Sequence, residues 1–485
     1  MAHFPVMAFD SWFVLFIAIT FPLLHLLGLM SAVDALLFSR SSQGAIAWCL
    51  FLVGFPYIGL PIYWIFGRAK FHGYRERIQR VVNHQAANIA WYRQHIAEHA
   101  QLPFDPVSSR AEAFETLSNA KFLRGNGTQL LIDGEATFKA IFEALDSASS
   151  YALLQFFIIK DDDIGRAFEE KLRQAATRGV KIYVLYDEVG SHSIPHRYLS
   201  QLRSFGIQVS SFGTRRGLRN FFQVNFRNHR KIVVIDGQTA FIGGHNVGDE
   251  YLGRSKRFGH WRDTHLKISG PAALDLKASF VSDWVWATGE APDIDTISPQ
   301  IAGDAHALTI SSGPADQKDK CLLFFLHCVS SAKHRLWIAS PYFVPDEALL
   351  SALQLAALRG VDVRIIIPAV RDHTLVWLAS FFFAPEATAY GVKVYRYQAG
   401  FLHEKIVLID DEYASVGSAN FDNRSFRLNF ETTTLVADSS FVRRVAQMLE
   451  EDMAHSEDVS HLRHSDSPLW KRLAARFARL FSPIL

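Results

Sequence analysis

Two stretches of this chain carry the same reactive side chains at the same spacing. Residues 229–236 read HRKIVVID and residues 403–410 read HEKIVLID, so each presents His, then Lys two residues on, then Asp five further. An apolar run fills both, and the second lies 174 residues after the first. Chance placement of 20 histidines would not produce this twice. The downstream residues repeat as well: Gly243-Gly244-His245-Asn246 follows the first stretch as Gly417-Ser418-Ala419-Asn420 follows the second.

On a strand, His229 and Lys231 leave the same face, as do His403 and Lys405. Asp236 and Asp410 have the opposite parity and lie at the far ends. If Gly237-Gln238 and Asp411-Glu412 are two-residue hairpin turns, Asp236 pairs with Thr239. His229 then stands opposite Asn246, and His403 opposite Asn420. Each copy so gathers an imidazole, an ammonium and a carboxamide. An imidazole attacks or moves protons near neutral pH. Lysine brings a compact charge and asparagine a neutral donor, both suited to anionic oxygen. Around one phosphorus, one imidazole attacks while the other protonates the leaving oxygen and later deprotonates the acceptor.

An acid is needed to fix each tautomer. Aligning residues 260–268 with 428–436 sets Asp263 opposite Glu431, one per copy. Lysine and asparagine can neutralise phosphoryl charge, so the pattern calls for no metal and no cofactor. Asp236 and Asp410 complete the motif, but aspartate is common at turns for structural reasons. Glu250, Arg424 and Asp372 are weaker candidates for the pocket, and Asp161-Asp162-Asp163 reads as a solvated turn.

The elements that must hold these groups also repeat. From about residue 120, apolar runs alternate with amphipathic stretches, an α/β pattern. Residues 152–159 predict a buried strand and 165–178 a helix, followed by Arg178-Gly179-Val180 and the strand KIYVLYD. Residues 335–343 and 346–358 do the same, followed by Arg359-Gly360-Val361 and DVRIIIP. Each glycine falls where a helix end favours positive φ. The expected architecture is two α/β/α repeats forming one pseudo-symmetric catalytic body. The expected boundaries are an anchor at 1–70, a helical connector at 71–119, repeats at 120–300 and 301–460, and a terminal helix at 461–485.

The anchor reads as two membrane spans. Residues 12–33 and 46–66 contain no Lys, Arg, Asp or Glu, and each is long enough to cross the hydrocarbon as a helix. Arg68, Lys70, Arg75, Arg77 and Arg80 follow, which places the rest of the chain in the cytoplasm. At the other end, Leu469, Leu473, Phe477, Leu480 and Ile484 form one helical stripe, with Lys471, Arg472, Arg476 and Arg479 elsewhere on the helix. That pattern suits an anionic membrane surface or, equally, a helix packed on the body.

Composition agrees. The chain has 485 residues, 49% of them hydrophobic, with 39 Phe and 10 Trp. Its net charge of +2 argues against a nucleic-acid partner. Three cysteines are too few for a disulfide scaffold.

Taken together, the doubled motif resembles the phospholipase D superfamily and, more closely, the bacterial cardiolipin synthases. The residues that carry the likeness are GGHNVGDEYLG (243–253), WRDTH (261–265), SPYFVPDEALL (340–350), GFLHEKIVLID (400–410) and GSANFDNRSFRLNFE (417–431). Gly244, where the second copy has Ser418, and His245 depart from the pattern. The resemblance implies phosphatidyl transfer from one phosphatidylglycerol to another in a multi-pass inner-membrane enzyme, with release of glycerol. His229 is then the nucleophile and His403 the general acid, then base. A membrane-bound hydrolase or phosphodiesterase remains the alternative, since water and a glycerol hydroxyl attack the same phosphohistidine. Donor lipid, which histidine attacks first, and oligomeric state stay open.

Overall fold

The computed structural model describes residues 7–39, 41–68, 70–83, 85–104, 109–214, 220 and 225–485. The chain forms two compact units: Met1–His72 together with Thr214–Phe226, and Gly73–Gly213 together with Arg227–Leu485.

In the first unit, helix α1 (Met7–Phe38) contains an apolar stretch, Trp12–Phe38, long enough to cross a membrane. The second predicted span does not form one helix. It breaks into α2 (Ser42–Gly54) and α3 (Pro56–Ile62), followed by a π turn at Tyr63–Gly67. Phe55, at φ −137° and ψ 59°, leaves the helix between them. Proline explains the break, because its ring disfavours helical geometry in the residue before it. The 13 residues of α2 rise about 20 Å, short of the ~30 Å hydrocarbon. Both arms expose large apolar side chains, among them Trp12, Phe16, Leu29, Leu50 and Val53. The Tyr63 hydroxyl donates to Asp34 at 2.7 Å and joins the arms.

The second unit is built on a 16-stranded sheet and two small two-stranded ones. Its first half supplies β1 (Leu123–Ile132), β2 (Tyr151–Phe156), β3 (Lys181–Asp187), β4 (Gln208–Phe212), β5 (Arg227–Asn228), β6 (Ile232–Ile235), β7 (Thr239–Gly243), β8 (His260–Arg262) and β9 (Thr264–Ser269). The second half supplies β10 (Ala305–Ser312), β11 (Arg335–Ala339), β12 (Phe343–Val344), β13 (Asp362–Pro368), β14 (Lys393–Tyr397), β15 (Gly400–Leu402), β16 (Ile406–Ile409), β17 (Tyr413–Gly417), β18 (Phe421–Asp422), β19 (Asn429–Ala437) and β20 (Ser456–Asp458).

The strand order is β4-β3-β2-β6-β7-β9-β1, then β10-β19-β17-β16-β11-β13-β14-β20. Apart from β20, it reads the same from either edge, so a pseudo-twofold passes between β1 and β10. In each half, parallel strands joined by helices pair with an antiparallel hairpin. The predicted helices appear as Asp163–Thr177 and Glu347–Leu358, with Gly179 and Gly360 beyond them at φ 90° and 87°. Each half packs its own apolar core, one around Ile141, Phe156 and Phe168, the other around Phe325, Leu353 and Val363. The connector is helical at Tyr74–Asn83, Ala86–His99 and Ser109–Ser118.

Both catalytic-motif hairpins differ from the predicted register by one residue. Ile235 pairs with Thr239 and Ile409 with Tyr413, leaving three-residue loops. Asp236 and Asp410 open these loops in the left-handed region, at φ 52° and 53°. Aspartate tolerates that conformation, so it leaves the ladder instead of closing it.

Candidate active site

The site lies where the two halves meet at the sheet's centre. Strand β5 runs parallel to β19, and β15 runs parallel to β8, so each motif enters the site hydrogen-bonded to the other half. The pairing continues through the histidines. The backbone N–H of His229 donates to Phe430 O at 3.0 Å, and that of His403 donates to Arg262 O at 2.7 Å. Each histidine is thereby docked beside the acid that follows.

The tautomer-fixing acids cross over. Nδ1 of His229 lies 3.0 and 3.1 Å from the Glu431 carboxylate oxygens and 3.1 Å from Ser418 O. Nδ1 of His403 lies 2.6 Å from Asp263 Oδ2. Glu431 and Asp263 are buried. With Nδ1 turned to a carboxylate in each ring, Nε2 is the nitrogen left to meet a substrate. The sequence paired one acid with each copy; the fold gives each histidine the other copy's acid.

Lys231 and Lys405 are buried beside them. Lys231 Nζ donates to His229 O at 2.5 Å, and Lys405 Nζ lies 2.9 Å from His403 Nδ1 while also donating to His403 O. Burial draws Lys231 down to about 7 and Lys405 to about 8, against the pull of Glu431 and Asp263, and the Lys405 ammonium lowers Lys231 further. Burial also lowers the pKa of both histidines. His403 is pushed further down by Lys405, Lys231 and His229, the last two from the opposite repeat. The four groups therefore share one electrostatic site. Burial alone would raise Glu431, but His229, Lys231 and Ser418 hold it below the usual glutamate value. A pocket of mutually repelling cationic groups is suited to an anion such as a phosphodiester.

Asn246 and Asn420 each follow their motif histidine by 17 residues and are buried. Asn246 accepts from Ile158 N and donates to the Tyr251 hydroxyl, both at 3.0 Å. Asn420 donates to Asp422, while its Oδ1 is buried without a partner.

Asp236 and Asp410 are elsewhere. Asp236 accepts from the N–H groups of Ser149, Ser150 and Tyr151 and from the Ser149 hydroxyl. Asp410 accepts from the N–H groups of Lys333, His334 and Arg335 and from Arg110. Both tie the far end of a hairpin to the start of a neighbouring strand, at the opposite end from the imidazoles. The geometry gives them no path to the reacting atoms. Of the weaker candidates, Glu250 pairs with Lys160 at 2.5 Å and Asp372 accepts from the Tyr342 hydroxyl. Asp162 caps a helix through Gly165 N.

Sequence reasoning missed the polar groups beneath the site. Arg230, between His229 and Lys231, points to the other face and binds Asp283 at 2.8 Å, Glu431 O and Ser312 O. Asp283 also accepts from Tyr74, Gln155 and Asn228. In the second half, Glu404 and Asp452 share Arg262, at 3.0 and 2.6 Å. Burial pushes both acids up, helped by the charge of Asp452 at Glu404 and of Asp133 at Asp452. The available signal was Asp283 set within the largely apolar run SFVSDWVW (279–286). His245 and His265 form a buried imidazole pair with Nδ1 atoms 3.0 Å apart. Burial brings His245 down to about 4 and His265 well below its usual value, so both stay neutral at physiological pH.

A family model described as cardiolipin synthase, PLD-like domain, matches residues 141–284 and again 325–453, one match per repeat. The chain belongs to this family. A second model, phospholipase D-nuclease N-terminal, matches residues 26–68. Among curated relatives of this cardiolipin synthase family, cardiolipin synthase A of Pseudomonas putida (strain GB-1) is 48% identical over 469 residues, covering 96% of this chain and 97% of that protein. Cardiolipin synthase A of Pseudomonas entomophila (strain L48) is 47% identical over 466 residues, with the same coverage. The crystal structure of a phosphatidylserine synthase from Haemophilus influenzae Rd KW20 superposes with a TM-score of 0.60 at 16% identity, covering 78% of this chain and all of that one. That similarity concerns the fold.

Proposed function

We propose that this protein is a membrane-anchored phosphatidyltransferase that makes cardiolipin from two phosphatidylglycerols. The observation that carries the reading is the crossed pair: two imidazoles from different repeats, each with Nδ1 on the other repeat's carboxylate and Nε2 left for substrate, in a pocket with two buried lysines. The curated relatives support the choice of substrate.

In this mechanism Nε2 of His229 attacks the donor's phosphorus. The P–O bond to the terminal glycerol breaks, and His403, which enters this step as the imidazolium that the bound phosphodiester's negative charge favours, delivers its Nε2 proton to that oxygen. Glycerol leaves. His403 then removes the proton from the acceptor's glycerol hydroxyl, whose oxygen attacks the phosphorus. The P–N bond breaks and its electron pair returns to His229. Lys231, Lys405, Asn246 and Asn420 hold the non-bridging oxygens. Glu431 and Asp263 keep the two rings in the required tautomers. Asp236 and Asp410 hold the hairpins.

We read α1 as spanning the membrane and α2–α3 as a kinked arm that returns, with Arg68 and the basic residues after it on the cytoplasmic side. The terminal helix Leu469–Arg479 supports docking of the body on lipid. It packs through Ala475 and Ala478, while Leu469, Trp470, Leu473 and Phe477 remain exposed.

The test is lipid analysis of a host lacking cardiolipin synthases that expresses this chain, fed phosphatidylglycerol labelled in the glycerol headgroup. Cardiolipin with stoichiometric release of labelled glycerol supports transfer. Phosphatidic acid without cardiolipin would establish the hydrolase alternative.

A further inference from the structure

Asn246 and Asn420 occupy equivalent positions in the two repeats, but their amides are held differently. In the second repeat, Asn420 Nδ2 donates to Asp422 at 3.3 Å. Ser425 Oγ accepts from the Asn420 backbone N–H at 3.1 Å and hydrogen-bonds Asp422 in turn. The 174-residue offset puts Gly248 at the position of Asp422 and Tyr251 at that of Ser425. At these positions the first repeat exchanges a carboxylate and a small hydroxyl for a glycine and a phenol.

The partners of Asn246 fix which way its amide points. A backbone N–H can meet only an acceptor, so Ile158 N takes Oδ1, at 3.0 Å. Nδ2 is thereby turned to Tyr251 and donates to its hydroxyl oxygen, also at 3.0 Å. Having accepted there, Tyr251 must send its own proton elsewhere, and no group among the described residues accepts it. Tyr251 is only 4% exposed, and a buried donor left unpaired is costly. Burial, then the Glu250 carboxylate, push the phenol well above its usual pKa, so it stays protonated. Its ring meets Trp261 edge-on, with centroids 4.8 Å apart, and lies 6.5 Å from the His403 ring. The turn that carries it, Asp249–Leu252, is pinned at both ends of one side chain and its backbone: Asp249 accepts from Ile164 N at 3.1 Å, and its own N–H donates to Asp162 at 2.8 Å. The phenol therefore reaches from one motif's asparagine to the other motif's histidine.

We propose that Tyr251 is a further catalytic residue, whose O–H donates to a non-bridging oxygen of the phosphoryl group in transfer between the two imidazoles. Asn246 keeps one amide N–H beside it, so two donors stand 3.0 Å apart, a spacing that suits oxygens of a single phosphoryl group. Tyr251 is neutral, so it stabilises the anion without adding to the repulsion among the buried lysines and histidines. Its hydrogen bond strengthens as charge gathers on those oxygens in the transition state. The inference rests on the phosphatidyl-transfer reading above.

The test is Tyr251→Phe in the full-length enzyme, which removes the hydroxyl and keeps the ring against Trp261. Cardiolipin formation from phosphatidylglycerol in mixed micelles should lose about 10- to 100-fold in kcat/KM. Binding of tungstate, a phosphate mimic followed by calorimetry without turnover, should weaken about tenfold. The same substitution in an Asn246→Ala background separates direct donation from support of the Asn246 amide. A direct donor still costs about tenfold there, whereas a hydroxyl that only holds Asn246 costs nothing more. Asn246→Ser gives the same comparison where alanine destabilises the fold. Near-native kcat/KM and tungstate affinity in Tyr251→Phe, or no further loss in the Asn246 background, would overturn the proposal. A wild-type chain that binds tungstate but makes no cardiolipin would instead overturn the phosphatidyl-transfer reading, and the tungstate comparison would still decide whether Tyr251 meets the anion.

Discussion

At the residue scale, the crossed carboxylates make a specific prediction. Glu431→Gln leaves the size of the side chain but cannot hold the Nδ1 proton of His229 as a carboxylate does. Turnover should fall by about 10²–10⁴-fold although Glu431 lies in the other repeat. Steady-state kinetics on folded variant would check this, and near-native activity would remove the crossed pairing from the mechanism. The pH profile follows from the buried lysines. In the free enzyme Lys231 sits at about 7 and Lys405 at about 8, so both lose charge as pH rises through that window, and kcat/KM should decline there. His229 is lowered, so it stays neutral and nucleophilic somewhat below the ordinary histidine value, and the acid limb should lie below pH 6.5. A bound phosphodiester favours the charged lysines, so kcat should keep its value further into the alkaline range. A kcat/KM flat to about pH 9 would contradict the assignment of the lysines to phosphate capture. Gly244 offers another check. A Cβ there would collide with the Asp263 carboxylate that holds His403, so Gly244→Ala should reduce kcat by about 100-fold or more.

Elements explain what the sequence carried and what it concealed. The doubled motif, the two glycine-capped helices and the pairing of Asp263 with Glu431 were all legible, because periodicity and spacing record them directly. Register was not. The two aspartates adopt left-handed geometry and lengthen each loop by one residue, which a two-residue turn does not anticipate. Nor was the crossover legible, since alignment compares equivalent positions and is silent on which half a residue faces. Arg230 and Glu404 occupy equivalent positions with opposite charges, so repetition gave no sign of the buried networks they anchor. The second span failed for a local reason, the Phe55-Pro56 break. Asp236 and Asp410 belong to this scale. Asp236→Ala deletes the acceptor for three backbone N–H groups and should cost about 2–4 kcal/mol of stability, read as a lower melting temperature, with kcat per folded molecule largely retained. A large kcat loss without destabilisation would return Asp236 to the chemistry.

For the whole molecule, the chemistry depends on both halves, joined through one continuous sheet with β5 on β19 and through the separate two-stranded pairing of β15 on β8. Neither repeat alone holds a histidine with its acid. In the proposed function two surfaces bring the body to its substrate, the N-terminal apolar helix and the exposed stripe of Leu469–Arg479. Leu473→Glu with Phe477→Glu should weaken binding to anionic vesicles in a sedimentation assay while leaving the fold intact, because both side chains point outward. Unchanged binding would assign that helix to packing alone. The central claim, that imidazoles from two repeats act on one lipid phosphorus, is tested most directly by trapping the intermediate. Enzyme mixed with phosphatidylglycerol labelled in its phosphate, quenched within a turnover and digested, should carry label on the peptide containing His229. Label should be lost in His229→Ala, and in His403→Ala its formation and discharge should both slow. Label on neither histidine, or near-native cardiolipin formation by both single variants, would contradict the account.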